Sequence, residues 1–382
     1  MKTTTTSKIA IIGARGIGNY GGFESVVSEL GPSLVKRGYI VYCSCEKSGT
    51  ENENKEYLGV RKIFFPIKPP ANYTIRKVFE ILYDMYFTIK CSFSCDIIYA
   101  LGLGANFSLL IPRLFGKVSI VNVDGLEWRR SKFNLIEKIL LKIMFLMCCI
   151  SSSLIIVDNK ELIGYISQRF HKKTVFIPYG VNPVNYVSWD SKRLDNLKTL
   201  QEKSAIIQNE YWLVVSRLEP ENNIHTIVEG FIKSETPMPL VIIGDFTSEI
   251  YKKRVSSLIS NSKRQVLFLG SIYDPYTLNM FRQNCFGYFH GHSVGGTNPS
   301  LLEAMVMENI IIAHDNEFNR EVGGNAVLYF TTIEDLKNRI ELIEKNPWQY
   351  SEFRKSTLSR VELNYSWENI IDEYDSRFSN LH

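Results

Sequence analysis

The 382-residue sequence lacks a block of lysine and arginine, a cysteine pair with metal-type spacing and an apolar run long enough for a membrane span. One uncharged stretch, from Ile143 to Val157, has 15 residues and is interrupted by three serines, whereas a span needs about 20. It predicts a helix over about 134–149 followed by a buried strand over 153–157. A membrane-leaning face of that helix stays open as an alternative, because Lys132, Lys138 and Lys142 accompany its apolar residues.

The mild net charge of +4, without a basic block, argues against a nucleic-acid partner. The seven cysteines lie at positions 43, 45, 91, 95, 148, 149 and 285. Their odd number and apolar neighbours predict reduced, structural thiols in a cytosolic protein. The start, MKTTTTSK, is polar and predicts no signal peptide.

Short apolar runs alternate with amphipathic stretches, which is typical of parallel sheets covered by helices on both faces. The runs cover 8–13, 39–44, 96–100, 117–123, 153–158 and 174–180, then 211–217, 239–245, 265–270, 286–291, 309–315 and 326–330. The polar stretch 184–210 separates the two series. We therefore expect two tandem doubly wound Rossmann-like domains, over 1–184 and 185–364, with a C-terminal helix over 365–382. Ligands of such sheets bind beyond the carboxyl ends of the strands.

The loop after the first run, from Gly13 to Glu24, holds five glycines and opens a helix, so its backbone N–H groups favour a phosphate. It resembles a dinucleotide fingerprint, and Glu46 after the second run suits a ribose. The glycines continue through Gly21 and Gly22, however, which makes the loop longer than the fingerprint turn. A dinucleotide cofactor is the minor alternative.

Three polar residues end strands of the first half: Asp124, Asp158 and Tyr179. A carboxylate at such a place can accept a hydrogen bond from a sugar hydroxyl or act as a base. An N-cap of the next helix is the structural alternative for Asp124. Trp128, in the same loop, suggests a sugar-stacking or acceptor surface.

In the second half, Arg217 ends a strand, where its planar guanidinium suits a diphosphate. A surface ion pair with Glu219 or Glu221 is the alternative. The loop HGHSVGGTNPS follows a later strand and precedes Glu303. Its glycine pair, its hydroxyls and the helix start after it predict a phosphate site.

Two structural alternatives exist for that loop. Asn298 before Pro299 suits an N-cap with proline at the first helical position, and Ser300 with Glu303 suits a capping box. The sequence has no Asp-x-Asp motif and no histidine–cysteine cluster. We therefore expect no obligatory metal and no cofactor, with diphosphate charge met by Arg217, helix dipoles and amides.

Four long motifs occur in order: ARGI…YGGFE, DGLEWRRSKF, SRLEPENN and HSVGGTNPSLLEAM. With them, nearly the whole chain resembles the GT-B glycosyltransferases of family four, and among these the retaining rhamnosyltransferases of bacterial-type polysaccharide assembly. The resemblance implies a GT-B fold with a cleft between two Rossmann-like domains. It also implies metal-independent transfer from a nucleotide-activated sugar, with the C-terminal helix crossing back to the N-terminal domain.

The resemblance also assigns roles. Gly21 and Gly22 would approach the donor phosphates, Arg217 would pair with the diphosphate, and Glu303 would hold the ribose hydroxyls. The other implied donor-binding positions are Asn222, His292, Ser293, Gly295, Gly296, Thr297 and Asn298. The implied catalytic residues are Asp124, which stands where many relatives place a histidine, with Asp158 and Tyr179.

Two positions depart from the family pattern. Gly295 stands where relatives have a first glutamate, and Glu221, Asn222 and Asn223 stand where a lysine is usual. The expected reaction is transfer of L-rhamnose from dTDP-rhamnose onto a polyprenyl-diphosphate-linked sugar, on the inner face of the plasma membrane. Stretches 73–90 and 131–145 are candidates for the lipid-acceptor surface, with ordinary helix packing as the alternative. Another donor, or a non-catalytic binding protein of the same fold, is the competing hypothesis.

Overall fold

Two α/β units make up the chain, one over Met1–Tyr179 with Trp367–His382 and one over Gly180–Ser366. A computed structural model describes residues 7–18, 21–47, 54–195, 206–260 and 262–381. The polar start, two residues of the glycine loop (19 and 20) and part of the predicted boundary (196–205) lie outside these ranges.

An eight-stranded sheet forms the first unit, in the order β3-β4-β2-β1-β5-β6-β7-β8. Its strands are β1 Lys8–Ile12, β2 Ile40–Cys45, β3 Glu56–Tyr57, β4 Val60–Phe64, β5 Ile97–Leu101, β6 Val118–Asn122, β7 Leu154–Val157 and β8 Thr174–Phe176. Its helices are α1 Gly22–Lys36, α2 Tyr73–Ser92, α3 Leu110–Leu114, α4 Leu135–Ser151 and α13 Trp367–Ser379. Neighbouring strands are parallel except for the antiparallel pair β3–β4.

The central strand β1 shows how this sheet is buried on both sides. Ile9 and Ile11 belong to a core that includes residues of α1 and α13. Ala10 and Ile12 belong to a second core, which includes residues of α2. Successive side chains of a strand point to opposite faces, so a continuous apolar run supplies both cores.

A six-stranded parallel sheet forms the second unit, in the order β11-β10-β9-β12-β13-β14. Its strands are β9 Trp212–Val215, β10 Leu240–Ile243, β11 Val266–Gly270, β12 Gly287–His290, β13 Ile311–His314 and β14 Leu328–Phe330. Its helices are α5 Ser191–Asp195, α6 Ile224–Lys233, α7 Glu249–Ile259, α8 Pro275–Gln283, α9 Pro299–Val306, α10 Glu317–Gly323, α11 Ile333–Lys345 and α12 Ser351–Asn364.

The predicted fold class of two Rossmann-like α/β domains is confirmed, and every predicted apolar run contains a strand. The sequence analysis missed β3 and β4, which form one edge of the first sheet. In β4, Val60 is buried but Arg61 is exposed, so it lacks the continuous apolar pattern of the inner strands. The uncharged stretch after residue 134 is a helix followed by a buried strand, as predicted.

Helix α13 is held in the first unit by Tyr374, whose side chain is fully buried. Its hydroxyl lies 2.8 Å from the hydroxyl of Tyr99 in β5, and the two ring centroids are 5.7 Å apart. The contact joins residues 275 positions apart in the chain.

We expect Tyr374→Ala to lower the free energy of unfolding of the first unit by about 3–5 kcal/mol, because it leaves an aromatic-sized cavity. Tyr374→Phe removes the hydroxyl contact alone and should cost about 1 kcal/mol. Chemical denaturation measures both. Ser376→Ala, at an exposed position of the same helix, is the control and should change little. Equal stability of all three variants would contradict the packing of α13.

Candidate functional site

Apart from Glu303 in α9, the predicted donor-binding residues of the second unit lie in two loops that follow neighbouring parallel strands. One loop joins β9 to α6 and holds Arg217 and Asn222; the other joins β12 to α9 and holds residues 291–298. Strand β9 pairs directly with β12. Both loops therefore leave the same edge of the sheet.

Hydrogen bonds fasten the two loops together. The backbone N–H of Ser293 donates to the carbonyl of Glu221 at 2.9 Å, and the Ser293 hydroxyl donates to the same oxygen at 2.8 Å. The Asn223 amide donates to the carbonyl of Gly291 at 2.9 Å. A Cβ on Gly291 would collide with the carbonyl oxygen of Asn222, so the close approach requires glycine there.

Asn222 and Asn223 shape the first loop. The Asn222 side chain is buried and its amide donates to the Arg217 carbonyl at 2.7 Å. Asn223 has a φ of 50°, in the left-handed region that asparagine tolerates. The predicted donor-binding residue Asn222 therefore supports the backbone that carries Arg217.

Arg217 extends into solvent, with 63% of its side chain exposed. Its Nη1 lies 3.7 Å from Glu219 Oε1, so the alternative of a surface ion pair is realised with Glu219. Such a long, exposed contact contributes about 0–1 kcal/mol. A doubly charged phosphate group can therefore compete for this guanidinium.

The loop before α9 has a backbone that requires glycine at one position. Gly295 has a φ of 141°, while a Cβ there would meet only the Asn298 amide at 3.7 Å. Its conformation, rather than space, disfavours another residue. The adjacent Gly296 and Thr297 are both buried. Asn298 is the N-cap of α9 and Pro299 follows it at the first position, but the Asn298 side chain makes no capping hydrogen bond.

Glu303 makes an ion pair that the sequence analysis missed. Nη2 of Arg282, in α8, donates to Glu303 Oε2, and the Arg282 side chain is only 2% exposed against 27% for Glu303. The capping box with Ser300 is wrong, because α9 starts at Pro299 and its N-cap is Asn298. The sequence holds one sign of this ion pair: Arg282 lies between Phe281 and Cys285, both of which are buried.

Three histidines lie at the ends of β12 and β13. The rings of His290 and His292 stack at 4.4 Å, and the carbonyl of His292 accepts hydrogen bonds from the amides of Asn316 and Asn319 at 2.9 and 2.8 Å. Burial, and secondarily the nearby His314, lowers the pKa of His290 to about 3. These contacts fix the start of the loop that carries Ser293.

In the first unit, Gly21 is the N-cap of α1 and Gly22 its first residue. The carboxylate of Glu24 folds back and accepts the Arg15 N–H at 2.9 Å. Glu46, the ribose candidate of the dinucleotide alternative, instead accepts two hydrogen bonds from Arg76 Nη2, both at 2.9 Å. This ion pair weakens that alternative.

Arg15 is a further residue that the sequence analysis missed. Its Nη1 donates to Asp84 Oδ1 at 2.7 Å, and its guanidinium lies 4.4 Å from the ring centroid of Tyr83. Asp84 is buried. The pair ties the glycine loop to α2.

The predicted catalytic residues follow the adjacent strands β6, β7 and β8. The Asp124 N–H donates to Asn122 Oδ1 at 3.0 Å, and the Asn122 amide donates to the Tyr179 hydroxyl at 3.5 Å. Burial, then the charges of Asp124 and Asp158, raises the pKa of Tyr179 well above its usual value. The three side chains therefore share one electrostatic environment.

Their exposure differs. Asp158 is fully buried and Tyr179 is 5% exposed, whereas Asp124 is partly exposed and has a φ of 54°. Asp124 is the member of the set that a substrate can reach.

The structure contradicts the N-cap alternative for the loop after β6, whereas the sugar-stacking role of Trp128 stays a prediction. Asp124 does not cap the next helical turn, whose N-cap is Leu126, and α4 is capped by Asn134 in a capping box with Glu137. Trp128 was expected to offer a sugar-stacking surface. It packs edge-on against Phe145 of α4, with centroids 4.9 Å apart.

Within the described ranges, the structure contains no group of three or more histidine, cysteine, aspartate or glutamate side chains placed to hold a metal ion.

Two family models match the chain, one for each half. Residues 6–182 match a model described as a domain of unknown function, DUF1972. Residues 198–360 match the model described as glycosyl transferases group 1. Comparison with the curated proteins found no match.

Three solved structures of the GT-B fold are similar to nearly the whole chain. Sucrose-phosphate synthase from Thermosynechococcus elongatus is 16% identical with a TM-score of 0.75, covering 98% of this chain and 99% of its own. Anabaena HepE in complex with UDP-glucose is 13% identical with a TM-score of 0.74, covering 98% and 100%. Trehalose 6-phosphate synthase from Burkholderia multivorans is 10% identical with a TM-score of 0.71, covering 98% and 97%. At these identities the likeness shows the fold.

We expect Arg282→Met to lower the free energy of unfolding of the second unit less than Glu303→Ala does. Glu303→Ala leaves a buried guanidinium without its carboxylate, which typically costs about 3–5 kcal/mol, whereas methionine fills the arginine site without a charge. Urea denaturation of the two variants and of Glu303→Gln, which keeps a hydrogen-bond acceptor, measures the difference. If Arg282→Met lowered the free energy of unfolding more than Glu303→Ala, the cost of burying an unpaired guanidinium would not be the dominant effect.

His290 should make stability depend on pH. The unfolded chain takes up this proton near pH 6.5, whereas the folded chain resists it down to about pH 3. Stability that is full above pH 6.5 therefore declines as pH falls toward 3. His290→Phe should flatten that decline in denaturation series at pH 7.5 and 5, and His171→Gln, at an exposed site, should leave it unchanged. An unaltered decline in His290→Phe would refute this assignment.

Proposed function

We propose that this protein, a glycosyltransferase with a group 1 domain over residues 198–360, is a retaining enzyme that transfers L-rhamnose from dTDP-rhamnose. Its acceptor is a lipid-diphosphate-linked sugar in cell-surface polysaccharide synthesis. The observation that carries the proposal is the joined pair of loops holding Arg217 and Ser293, with Glu303 in the helix that follows.

The loops offer three kinds of group to a nucleotide-activated sugar. Arg217 supplies an exposed guanidinium for the diphosphate. The backbone from Gly295 to Asn298 and the N-terminal turn of α9 supply N–H groups and a favourable dipole. This positive potential stabilises charge on the departing diphosphate, so a divalent ion is not obligatory in this scheme.

Glu303 is assigned to the ribose hydroxyls of the donor. One of its carboxylate oxygens accepts from Arg282, which fixes the rotamer of the side chain. Its partial exposure leaves the carboxylate within reach of a ligand, and an ionised carboxylate is an acceptor only. It can therefore accept hydrogen bonds from two neighbouring hydroxyl groups, such as those of a ribose. Arg282 acts as a positioning residue.

In the retaining reaction, the acceptor hydroxyl attacks the anomeric carbon from the side on which the diphosphate leaves. The carbon–oxygen bond to the diphosphate breaks as the bond to the acceptor forms, and a phosphate oxygen of the leaving group takes the hydroxyl proton. No strong protein base is required. Asp124 positions the transferred sugar, while Asp158 and Tyr179 are buried in the same electrostatic environment.

A different donor is the second candidate. The structure of Anabaena HepE, which shares the fold, contains UDP-glucose, and the Gly295 position leaves the sugar contact open. A non-catalytic binding protein of the same fold is the third, suggested by glycine and asparagine where relatives have glutamate and lysine.

The acceptor places the enzyme at a membrane, as a peripheral protein on the cytoplasmic face of the plasma membrane. No helix in the part of the chain that the structure describes is both long enough and apolar enough to cross a bilayer. Exposed apolar side chains on helices of the first unit support contact with lipid.

Calorimetric titration with dTDP, UDP and GDP tests the donor site, followed by transfer assays with the matching sugar donors and a short-chain lipid-diphosphate sugar. We expect dTDP to bind most tightly. Arg217→Ala should weaken diphosphate binding about ten-fold, equivalent to roughly 1.4 kcal/mol. Glu303→Gln should weaken nucleoside diphosphates but leave inorganic diphosphate unaffected.

Arg254→Ala, at an exposed arginine of α7, is the matched control. Tight binding of NAD(P)H without binding of any nucleoside diphosphate would overturn the proposal in favour of a dinucleotide enzyme. Donor binding without transfer to any acceptor would favour the non-catalytic alternative. If UDP bound most tightly, the proposed dTDP-rhamnose donor would be wrong, but the assignment of the donor site would stand.

A further inference from the structure

The first unit exposes apolar side chains along three helical segments that follow one another in the chain. In α2 the exposed residues are Ile75, Val78, Leu82, Ile89 and Phe93, the last just beyond its end; around α3 they are Phe107, Leu110, Leu114 and Phe115; in α4 they are Leu135, Ile136, Ile139, Leu140, Ile143, Leu146 and Ile150. We call this set the apolar face. It holds more than half of the exposed large hydrophobic side chains among the described residues.

The spacing of the exposed apolar residues places them on one side of α2 and on one side of α4. The exposed positions of α2 recur mainly at intervals of three, four and seven, and those of α4 at three and four, which places each set along one side of its helix. The opposite sides are buried: Tyr83 and Phe87 in α2, and Phe145 and Cys148 in α4. Both helices therefore have one apolar side in the core and a second one in solvent.

Contacts join the three segments into one surface. At one end, Phe93 and Phe115 meet with ring centroids 5.0 Å apart. At the other, Lys77 Nζ in α2 lies 2.7 Å from Glu137 Oε1 in α4. Between α3 and α4, the guanidinium of Arg113 donates to the Ser151 carbonyl at 3.2 Å. A continuous apolar patch of this kind marks an interaction site.

Among the described residues, the unpaired charges around the apolar face have one sign. Lys90, Arg113, Lys132 and Lys142 are exposed. The carboxylates of the same helices are engaged: Glu80 with Arg76 at 3.2 Å, Glu137 with Lys77, and Asp84, which is buried, with Arg15. The surface that remains around the apolar side chains is therefore positive.

Composition distinguishes a lipid surface from a protein partner. Protein interfaces are enriched in tyrosine, tryptophan, phenylalanine, methionine and arginine at their centre. Thirteen of the sixteen exposed apolar side chains of this face are isoleucine, leucine or valine, and three are phenylalanine. The exposed tyrosine and tryptophan side chains of the described residues, such as Tyr273 and Trp348, lie in the second unit. Aliphatic side chains with flanking lysines suit the boundary between acyl chains and headgroups.

We propose that the apolar face docks on a bilayer that contains anionic phospholipid. The aliphatic side chains enter the acyl boundary, and Lys90, Arg113, Lys132 and Lys142 contact the phosphate layer. The inference deepens the proposed function, on which it rests for its purpose, because a lipid-linked acceptor is presented at such a surface. These three helical segments thus bring the enzyme to the surface at which the acceptor is presented.

Vesicle cosedimentation of the full chain tests this surface. We expect binding to phosphatidylcholine vesicles that contain phosphatidylglycerol, weaker binding to phosphatidylcholine alone, and loss of the difference at high salt. The triple variant Leu135→Ser/Ile139→Ser/Ile143→Ser should lower binding at least about ten-fold, because it removes inserted aliphatic area. Lys132→Glu/Lys142→Glu should remove the preference for the anionic lipid.

The matched control is Ile250→Ser/Leu342→Ser/Leu363→Ser, which replaces three equally apolar, exposed residues of the second unit and should bind vesicles like the unmodified chain. All substituted positions are exposed, and unfolding midpoints confirm that each variant is folded.

Failure to bind either vesicle, or full binding by the α4 triple variant, would overturn the proposal. So would a dimer in solution that the triple variant dissociates, since a second copy would then cover the face. Nucleoside diphosphate titration without vesicles runs on the same preparations. Nucleotide binding without vesicle binding refutes the docking surface alone, and vesicle binding without nucleotide binding refutes the proposed function alone.

Discussion

The parallel pairing of β9 with β12 is the constraint on which the second unit's site depends. Trp212 lies opposite Gly287, and Leu213 opposite Tyr288. A Cβ on Gly287 would collide with the Trp212 ring, which stacks on Phe289 at 4.6 Å. Because parallel strands end at the same edge, this register brings the Arg217 loop to the Ser293 loop, and the hydrogen bonds between them follow.

In each unit, a buried charge restrains one residue near the predicted site. In the second unit, Arg282 restrains Glu303; in the first, Asp84 restrains Arg15. In each pair one member is buried, and its partner is Glu303 in α9 or Arg15 in the glycine loop after β1. A buried ion that loses its partner is costly, so Glu303 and Arg15 each have one strongly preferred position before any ligand arrives. Such preorganisation reduces the ordering that binding must supply.

The sequence predicted the architecture well because a continuous apolar run is a direct consequence of burial on both faces, as in β1 and β9. It missed β4, where Arg61 interrupts the pattern at a sheet edge. Glycines and polar residues directly after the apolar runs identified the loops of the site. Because parallel strands end at the same edge of a sheet, their direction alone brings these loops together. Arg282 and Asp84 escaped prediction because each has its partner in another structural element, and the sequence does not show which elements meet.

The contact between Tyr99 and Tyr374 also determines the order in which the two units can complete folding during translation. The second unit, Gly180–Ser366, is one continuous segment and can finish folding as soon as it leaves the ribosome. The first unit must wait for α13, which is translated after the whole second unit. At roughly 5–20 residues per second, that interval lasts roughly 10–40 seconds. During it the groove that will receive Tyr374 and Phe378 stays open, so the half of the chain that is made first is the last to be completed.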